Sequence, residues 1–383
     1  MNFKPITLED KLWVTKYLNE SEYQGCEYSF STMLMWRDVY HTEVADLGDM
    51  LAYRGCSGRN RYVYAFPAGN GDKKAAIESL MTFAKECGHA FVLRGFTKEW
   101  ADWLEETFPG MFEIEAARDE WDYVYSVEKL SSLAGSKYHG KRNHIARFKD
   151  SGEWDYKSLT AENVEECRAM SDKWYHAQLN IGNITVLKEK PVLNFALDHM
   201  EELDLKGGVL YRDGEVVAFT IGEAMSKDTF HVHMEKAYSD IQGAYPMINQ
   251  QFVLHEMQNY TYINREEDDG IPGLRRAKES YYPEKMIEKY RAVLKKRYKM
   301  VVFADKSREA ELIEIWKQSF GDSEEYIRMF FEWNLSKTMV IVYEVDGKAV
   351  SVAYLLPATY ERAGQKAVPC WYLYAAADRK SVV

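Results

Sequence analysis

The chain has 383 residues, 46% hydrophobic and 28% charged, with 49 basic against 60 acidic side chains and a formal charge of -11. One core is excluded, because single cores stop growing near about 250–300 residues, and so is a disordered chain, which needs far lower hydrophobicity. The acidic balance excludes a general binder of nucleic acid or anionic membrane and leaves only local cation clusters for such contacts. No run approaches the roughly 18–20 uncharged apolar residues that cross a bilayer, and MNFKPITLEDKLWV lacks the basic-then-apolar plan of a signal peptide. A cytoplasmic protein is expected. The five cysteines (Cys26, Cys56, Cys87, Cys167, Cys370) are scattered and never in C-x-x-C spacing, so they are expected to be buried thiols without a disulfide frame or structural zinc.

In chain order, the first recognisable element is a hairpin over residues 50–67, MLAYRGCSGRNRYVYAFP, with a long Ser/Gly turn. AGNGDKKAAIESL, 68–80, looks like a glycine loop entering a helix but lacks the Gly-Lys-Ser/Thr ending of a phosphate loop. The strand WDYVYSV, 121–127, is followed by an expected boundary at about 125–135. KYHGKRNHIARFK, 137–149, sets Lys137, Lys141, Arg142 and Arg147 among Tyr138 and His139. Such a run suits a phosphate backbone, a nucleotide or salt bridging between domains. Residues 207–224, GGVLYRDGEVVAFTIGEA, form a hairpin about Asp213-Gly214, since glycine accepts positive φ without a steric penalty. His231 and His233 alternate on the next strand, but no third ligand follows at a recognisable spacing, and no metal site is expected. A second basic run spans 275–299 and a boundary is expected at about 295–300, before the strand MVVFA. Leu312, Ile315, Trp316 and Phe320 then follow helical spacing, and a third hairpin, 339–356, turns at Asp346-Gly347.

Helices followed by an antiparallel hairpin, repeated, predict an α+β protein. The order of helices, DG hairpin, further strand and helix resembles the GNAT acyltransferase fold. LSSLAGSKYHGKRNHIARF (130–148), HMEKAYSDIQGAYPMINQQF (233–252) and YTYINREEDDGIPGLRRAKESYYPEKMIEKY (260–290) together resemble the family of phosphatidylglycerol lysyltransferase C-terminal domains. That resemblance covers about residues 1–295. It implies tandem GNAT-like halves with mixed central sheets flanked by helices, related to Fem-type transferases that use aminoacyl-tRNA. The expected halves are 1–130 and 131–297. Residues 298–377 resemble the opening of a further GNAT domain, ending at CWYLYAAA before the glycine loop that holds acyl-CoA in such domains. Residues 378–383, DRKSVV, match the translation of GAT CGG AAG AGC GTC GTG TAG in a sequencing adapter, so a non-native tail is expected, with a natural short tail as the alternative.

The stretch 235–249 stands where a GNAT protein places its phosphate loop. It has Gly243 but no Gly-x-Gly pair, so close backbone approach to a pyrophosphate is not encoded. Lys236, Tyr245 and Asn249 are expected to contact the donor. If the strand continues through 263–269, Asn264, Glu266 and Asp268 fall on one side and Arg265, Glu267 and Asp269 on the other. Acyl transfer to an amine requires a base and a stabilised oxyanion. Glu266 or Asp268 are the expected bases. Arg275 and Lys278 offset the donor's charge, and Lys141 and Arg142 contact its phosphates. The expected activity is transfer of an acyl or aminoacyl group to an amine or hydroxyl, from aminoacyl-tRNA or acyl-CoA. Expected partners are tRNA and a small-molecule or lipid-headgroup acceptor. The alternative is a non-catalytic tandem binding module attached to a C-terminal acetyltransferase domain.

Overall fold

Alternating apolar residues and tight turns fold into three sheets in this computed structural model, which describes residues 1–56, 61–180, 182–295, 299–304, 306–334, 339–345, 348–363 and 366–378. The chain divides into two compact units, Met1–Leu294 and Lys295–Val383. The turn at Asp346-Gly347, residues 296–298 of the basic run and the tail 379–383 lie outside the described residues.

In the first unit the strands are β1 (Lys4–Pro5), β2 (Glu43–Asp46), β3 (Met50–Cys56), β4 (Tyr62–Ala65), β5 (Ala68–Gly69), β6 (Val92–Phe96), β7 (Phe112–Ala116), β8 (Asp122–Ser126), β9 (Trp154–Ser158), β10 (Lys206–Arg212), β11 (Glu215–Ala224), β12 (Thr229–Ala237), β13 (Tyr262–Asn264), β14 (Lys285–Ile287) and β15 (Tyr290–Leu294). One sheet has the order β1-β2-β3-β4-β6-β15-β7, with β5 on β3, and the other has the order β14-β8-β13-β12-β11-β10-β9. Each contains one parallel pair joined by a helix. In the first sheet β4 and β6 flank the helix Lys73–Glu86, and in the second β12 and β13 flank the helix Ala244–Glu256.

Aligning those parallel pairs corrects the register of the repeat. β10–β11–β12 corresponds to β2–β3–β4, so the first-half counterpart of the Asp213-Gly214 hairpin is β2–β3, turning at residues 47–49. The 50–67 hairpin instead pairs β3 with β4. Gly48 adopts φ +96 and Gly214 φ +82, in the left-handed region glycine enters freely.

The halves also exchange strands. β8, placed by sequence in the half 1–130, inserts between β13 and β14 of the second sheet, and β15 inserts between β6 and β7 of the first. A boundary at residue 130 therefore cuts through the pairing of both sheets. Strand partners are set by non-local hydrogen bonding, which local periodicity does not encode. The core is shared accordingly: one apolar cluster runs from Ile6 and Leu34 through Cys167 and Leu193 to Met234 and Ala292, while a second joins Tyr123 and Phe148 to Phe230 and Phe252.

The second unit holds the antiparallel strands β16 (Lys299–Phe303), β17 (Met339–Val345), β18 (Lys348–Tyr360) and β19 (Val368–Asp378), in that order. Leu312, Ile315 and Trp316 of the helix Glu309–Phe320 are buried against Val342 and Tyr354, whereas Phe320, at the helix end, is exposed. The cysteine expectation is corrected in the same way: Cys26 and Cys167 are buried, but Cys87 and Cys370 are exposed. No described helix is long and apolar enough to cross a membrane.

Candidate active site

β12 and β13 pair only over Thr229–His231 and Tyr262–Asn264, after which β12 continues to Ala237 while β13 ends. The strands therefore part, and side chains that follow the last pair face each other across the gap. The Arg265 guanidinium, on the β13 side, donates Nη2 to Glu235 Oε1 of β12 at 3.0 Å, and Asn249 Nδ2 holds the other oxygen of that carboxylate at 3.2 Å. Arg265 lies over the rings of Tyr125 and Tyr281, and its Nη1 is buried with no hydrogen-bond partner among the described residues.

Lys141, from the helix His139–Asp150, shares the Tyr281 ring at 3.8 Å and donates to Ser280 Oγ at 2.7 Å. Burial, reinforced by the Arg265 charge and opposed by Glu235, pushes the Lys141 amine down to about 8. It opens onto a cavity of about 370 Å³ lined by His144, Tyr245 and the loop 239–244. Burial raises the Tyr245 phenol above its ordinary value.

The loop's one glycine has a packing role. At Gly243 (φ +84) a Cβ would lie 2.9 Å from the His144 carbonyl carbon, 3.0 Å from Phe148 Cβ, and closer still to the His144 carbonyl oxygen. The helix bearing Lys141 thus packs directly against the glycine at the start of the helix Ala244–Glu256. At the equivalent loop of the first half, Asp49 fills the space: a Gly69 Cβ would sit 2.5 Å from the Asp49 carbonyl oxygen and a Gly71 Cβ against its carboxylate. Asp72 caps the following helix through the backbone amides of Lys74 and Ala75. These carboxylates repel an anion there.

The expected alternation along 264–269 is not what the chain adopts. Glu266 and Asp269 take positive φ, 58° and 51°, so the backbone turns away from the strand and each acidic side chain reaches a different partner. Asn264 donates to Asp122 Oδ2 at 3.0 Å. Glu266 Oε1 lies 2.8 Å from His231 Nε2. Burial raises the Glu266 carboxyl, but its bonds to His231 and His233 outweigh that and hold it well below the usual carboxylate range. Asp268, fully buried, accepts Tyr123 Oη at 2.6 Å and both Nε and Nη2 of Arg275, at 2.9 and 2.7 Å. Burial again opposes, yet these bonds hold its carboxyl well below the usual range. Asp268 is thereby a clamp for the helix Pro272–Glu279, committed on both oxygens.

The remaining expected contacts are likewise distributed. Lys278 donates to the carbonyls of Arg265, at 2.6 Å, and Glu267, bracing the turn, and its amine is lowered by burial. Arg142 caps the carbonyls of Leu133 and Gly135. Lys236 pairs with Glu189 at 2.6 Å over the Trp174 ring. Of the expected set, Lys141 and Tyr245 share the cavity, while Asn249 orders the Glu235–Arg265 pair. Arg265 and Glu235 were not singled out by sequence. In sequence, Glu235 follows His233 by two positions and Arg265 follows Asn264, the last residue of β13 to pair with β12, and neither spacing marks a site.

Mixed sheets, a parted parallel pair and two halves with the same strand order define a tandem GNAT-like protein. Residues 18–293 match the family described as phosphatidylglycerol lysyltransferase, C-terminal, and the chain belongs to that family. It is 38% identical to a conserved protein of unknown function from Bacteroides thetaiotaomicron VPI-5482, with a TM-score of 0.73, covering 77% of this chain and 100% of that one. L-PGS from Bacillus licheniformis is 17% identical at a TM-score of 0.54 over 77% of this chain and 94% of its own. FemX is 8% identical at 0.50 over 76% and 97%; these two likenesses concern the fold. No curated protein matches the sequence.

Proposed function

We propose that this chain transfers an aminoacyl group from aminoacyl-tRNA to an amine or hydroxyl acceptor, with the reacting carbonyl in the gap between β12 and β13. The observation that carries the reading is the pairing of Lys141, whose amine is pushed down to about 8, with the buried Arg265 guanidinium across one aromatic ring. Neutral Lys141 takes the proton of the attacking amine or hydroxyl as the new bond to the carbonyl carbon forms. Arg265 Nη1, with Glu235 and Asn249 fixing the rest of its plane, steadies the negative oxygen of the tetrahedral intermediate. Collapse then expels the ribose oxygen of the tRNA, which recovers the proton. The family's description as a lysyltransferase favours an aminoacyl group, and the crowding at Gly243 disfavours acyl-CoA. A lipid headgroup or a small amine are the acceptor classes the reading allows. Residues 298–377 are read as the start of a further GNAT-like module.

The test is single-turnover deacylation of mixed labelled aminoacyl-tRNA by the full chain, beside acetyl-CoA. Turnover with aminoacyl-tRNA alone is expected, falling by about 10²–10⁴-fold in Lys141→Met, the usual contribution of a positioned base. No turnover with either donor sinks the proposal and favours a binding module, and turnover with acetyl-CoA alone overturns the donor.

A further inference from the structure

Among the described residues, two groups of potential ligands lie in the first unit, Cys26–Asp122–Glu267 and Glu223–His231–His233. The first already contains a cation. Lys289 Nζ sits 2.7 Å from Asp122, 2.7 Å from Glu27 and 3.4 Å from Cys26 Sγ, leaving no role for a metal.

In the second, among the described residues, no lysine or arginine pairs with Glu223; the carboxylate's charge partner is His233 Nε2 at 3.0 Å, a bond that a metal would replace. We propose that Glu223, His231 and His233 bind a first-row transition-metal dication, with Glu266 as the positioning carboxylate behind both rings. Glu223 Oε1 lies 3.0 Å from His233 Nε2 and 4.0 Å from His231 Nδ1, and the three ligand atoms fall within 4.8 Å of one another. Tetrahedral zinc with bonds of about 2.0–2.1 Å needs its ligand atoms about 3.3–3.4 Å apart, so small side-chain shifts close the set.

The register of β11 against β12 slips by one residue, pairing Ile221 with Met234 but Gly222 with Val232. His233 therefore has no partner on β11, and its ring stands 4.1 Å from that of His231. Such a bulge re-aims side chains. His231 is fully buried, and its Nδ1 has no hydrogen-bond partner among the described residues. That unpartnered nitrogen, on the Glu223 side of the ring, is the independent sign of a ligand.

The opposite nitrogens complete the pattern. His231 Nε2 bonds Glu266 Oε1 at 2.8 Å, the arrangement by which a carboxylate fixes the tautomer and aim of a metal-binding imidazole, while His233 Nδ1 lies 3.4 Å from the same oxygen without hydrogen-bonding geometry. Glu223 is itself aimed by the hydroxyls of Ser29 and Ser31, the latter at 2.7 Å. Two imidazoles with one carboxylate select zinc or ferrous iron over magnesium or calcium. Because the serines belong to the first half and Glu223 to the second sheet, these hydrogen bonds tie the halves together at the site, while all three ligands come from the second sheet. The site shares no residue with Lys141, Arg265, Glu235 and Asn249, the groups proposed above for acyl transfer.

Untagged full-length protein, stripped with chelator and dialysed, is titrated with ZnCl2 by calorimetry and with CoCl2 by visible absorption. One equivalent of each is expected, with the ligand-field bands of four- or five-coordinate cobalt lost on adding zinc. His231→Ala and Glu223→Gln abolish stoichiometric binding, and Glu266→Gln weakens it by about 10–100-fold, as loss of such an outer carboxylate does. Glu223→Gln keeps its contacts with the serines and carries the test if His231→Ala does not fold. Absence of stoichiometric zinc binding to the folded wild type, or unchanged affinity in folded Glu223→Gln, overturns the proposal.

Discussion

Gly243→Ala tests whether the glycine of the donor loop serves packing or a ligand. Two penalties are expected. The residue has φ +84, where a side chain costs about 1–2 kcal/mol. Its Cβ would also press on the His144 carbonyl and Phe148 Cβ, 3.0 Å away, so one helix must move; overpacking of this kind costs about 1–3 kcal/mol. Gly214→Ala isolates the first penalty, because its φ is +82 and nothing lies within 4 Å of the added carbon. The difference between the two variants is therefore the helix contact alone, about 2 kcal/mol. Thermal unfolding of both variants without ligand reads it, at about 2–4 °C per kcal/mol. Equal melting temperatures for the two variants would refute the packing argument and return Gly243 to a ligand role.

Lys289→Met should cost about 3–5 kcal/mol in urea unfolding, since it strands the fully buried Asp122 carboxylate beside Glu27; a loss under 0.5 kcal/mol would be inconsistent with the buried pairing. Lys141 should acylate with a midpoint near pH 8, and at that pH it is half neutral while a lysine at 10.5 is about 0.3% neutral. Because its folded value lies below the unfolded one, the folded state binds fewer protons between about 8 and 10.5, so this lysine's unfavourable contribution is full below pH 8 and is relieved as pH rises through that window. Pulsed labelling with acetic anhydride and mass spectrometry checks the midpoint, and a value above 10 falsifies the environment assigned to it. Residues 1–295 should unfold cooperatively alone, whereas 1–130 should not, because β15 is missing from between β6 and β7 and β8 has lost its sheet; a cooperative transition for 1–130 by circular dichroism contradicts the exchange.

Local chemistry in the sequence determined a good deal. Asp213-Gly214 specifies a turn because only glycine enters positive φ freely, and β10 and β11 pair around it. The motifs at 130–148, 233–252 and 260–290 carried the family. What tertiary structure alone decided are the contacts between segments distant in sequence. His231 and His233 were legible as neighbours on a strand, but Glu223 reaches them through the hydrogen-bonded pairing of β11 with β12, at no ligand spacing a sequence displays. The run 264–269 read as an alternating strand because its residue types allow one. The carboxylates of Glu266 and Asp268 instead bond His231 and Arg275, and the backbone takes positive φ at Glu266 and Asp269 where it leaves the strand. The exchange of β8 and β15 was hidden for the same reason: local propensity selects a strand, while its neighbours are selected by whichever edge and apolar surface the folded chain brings within hydrogen-bonding reach.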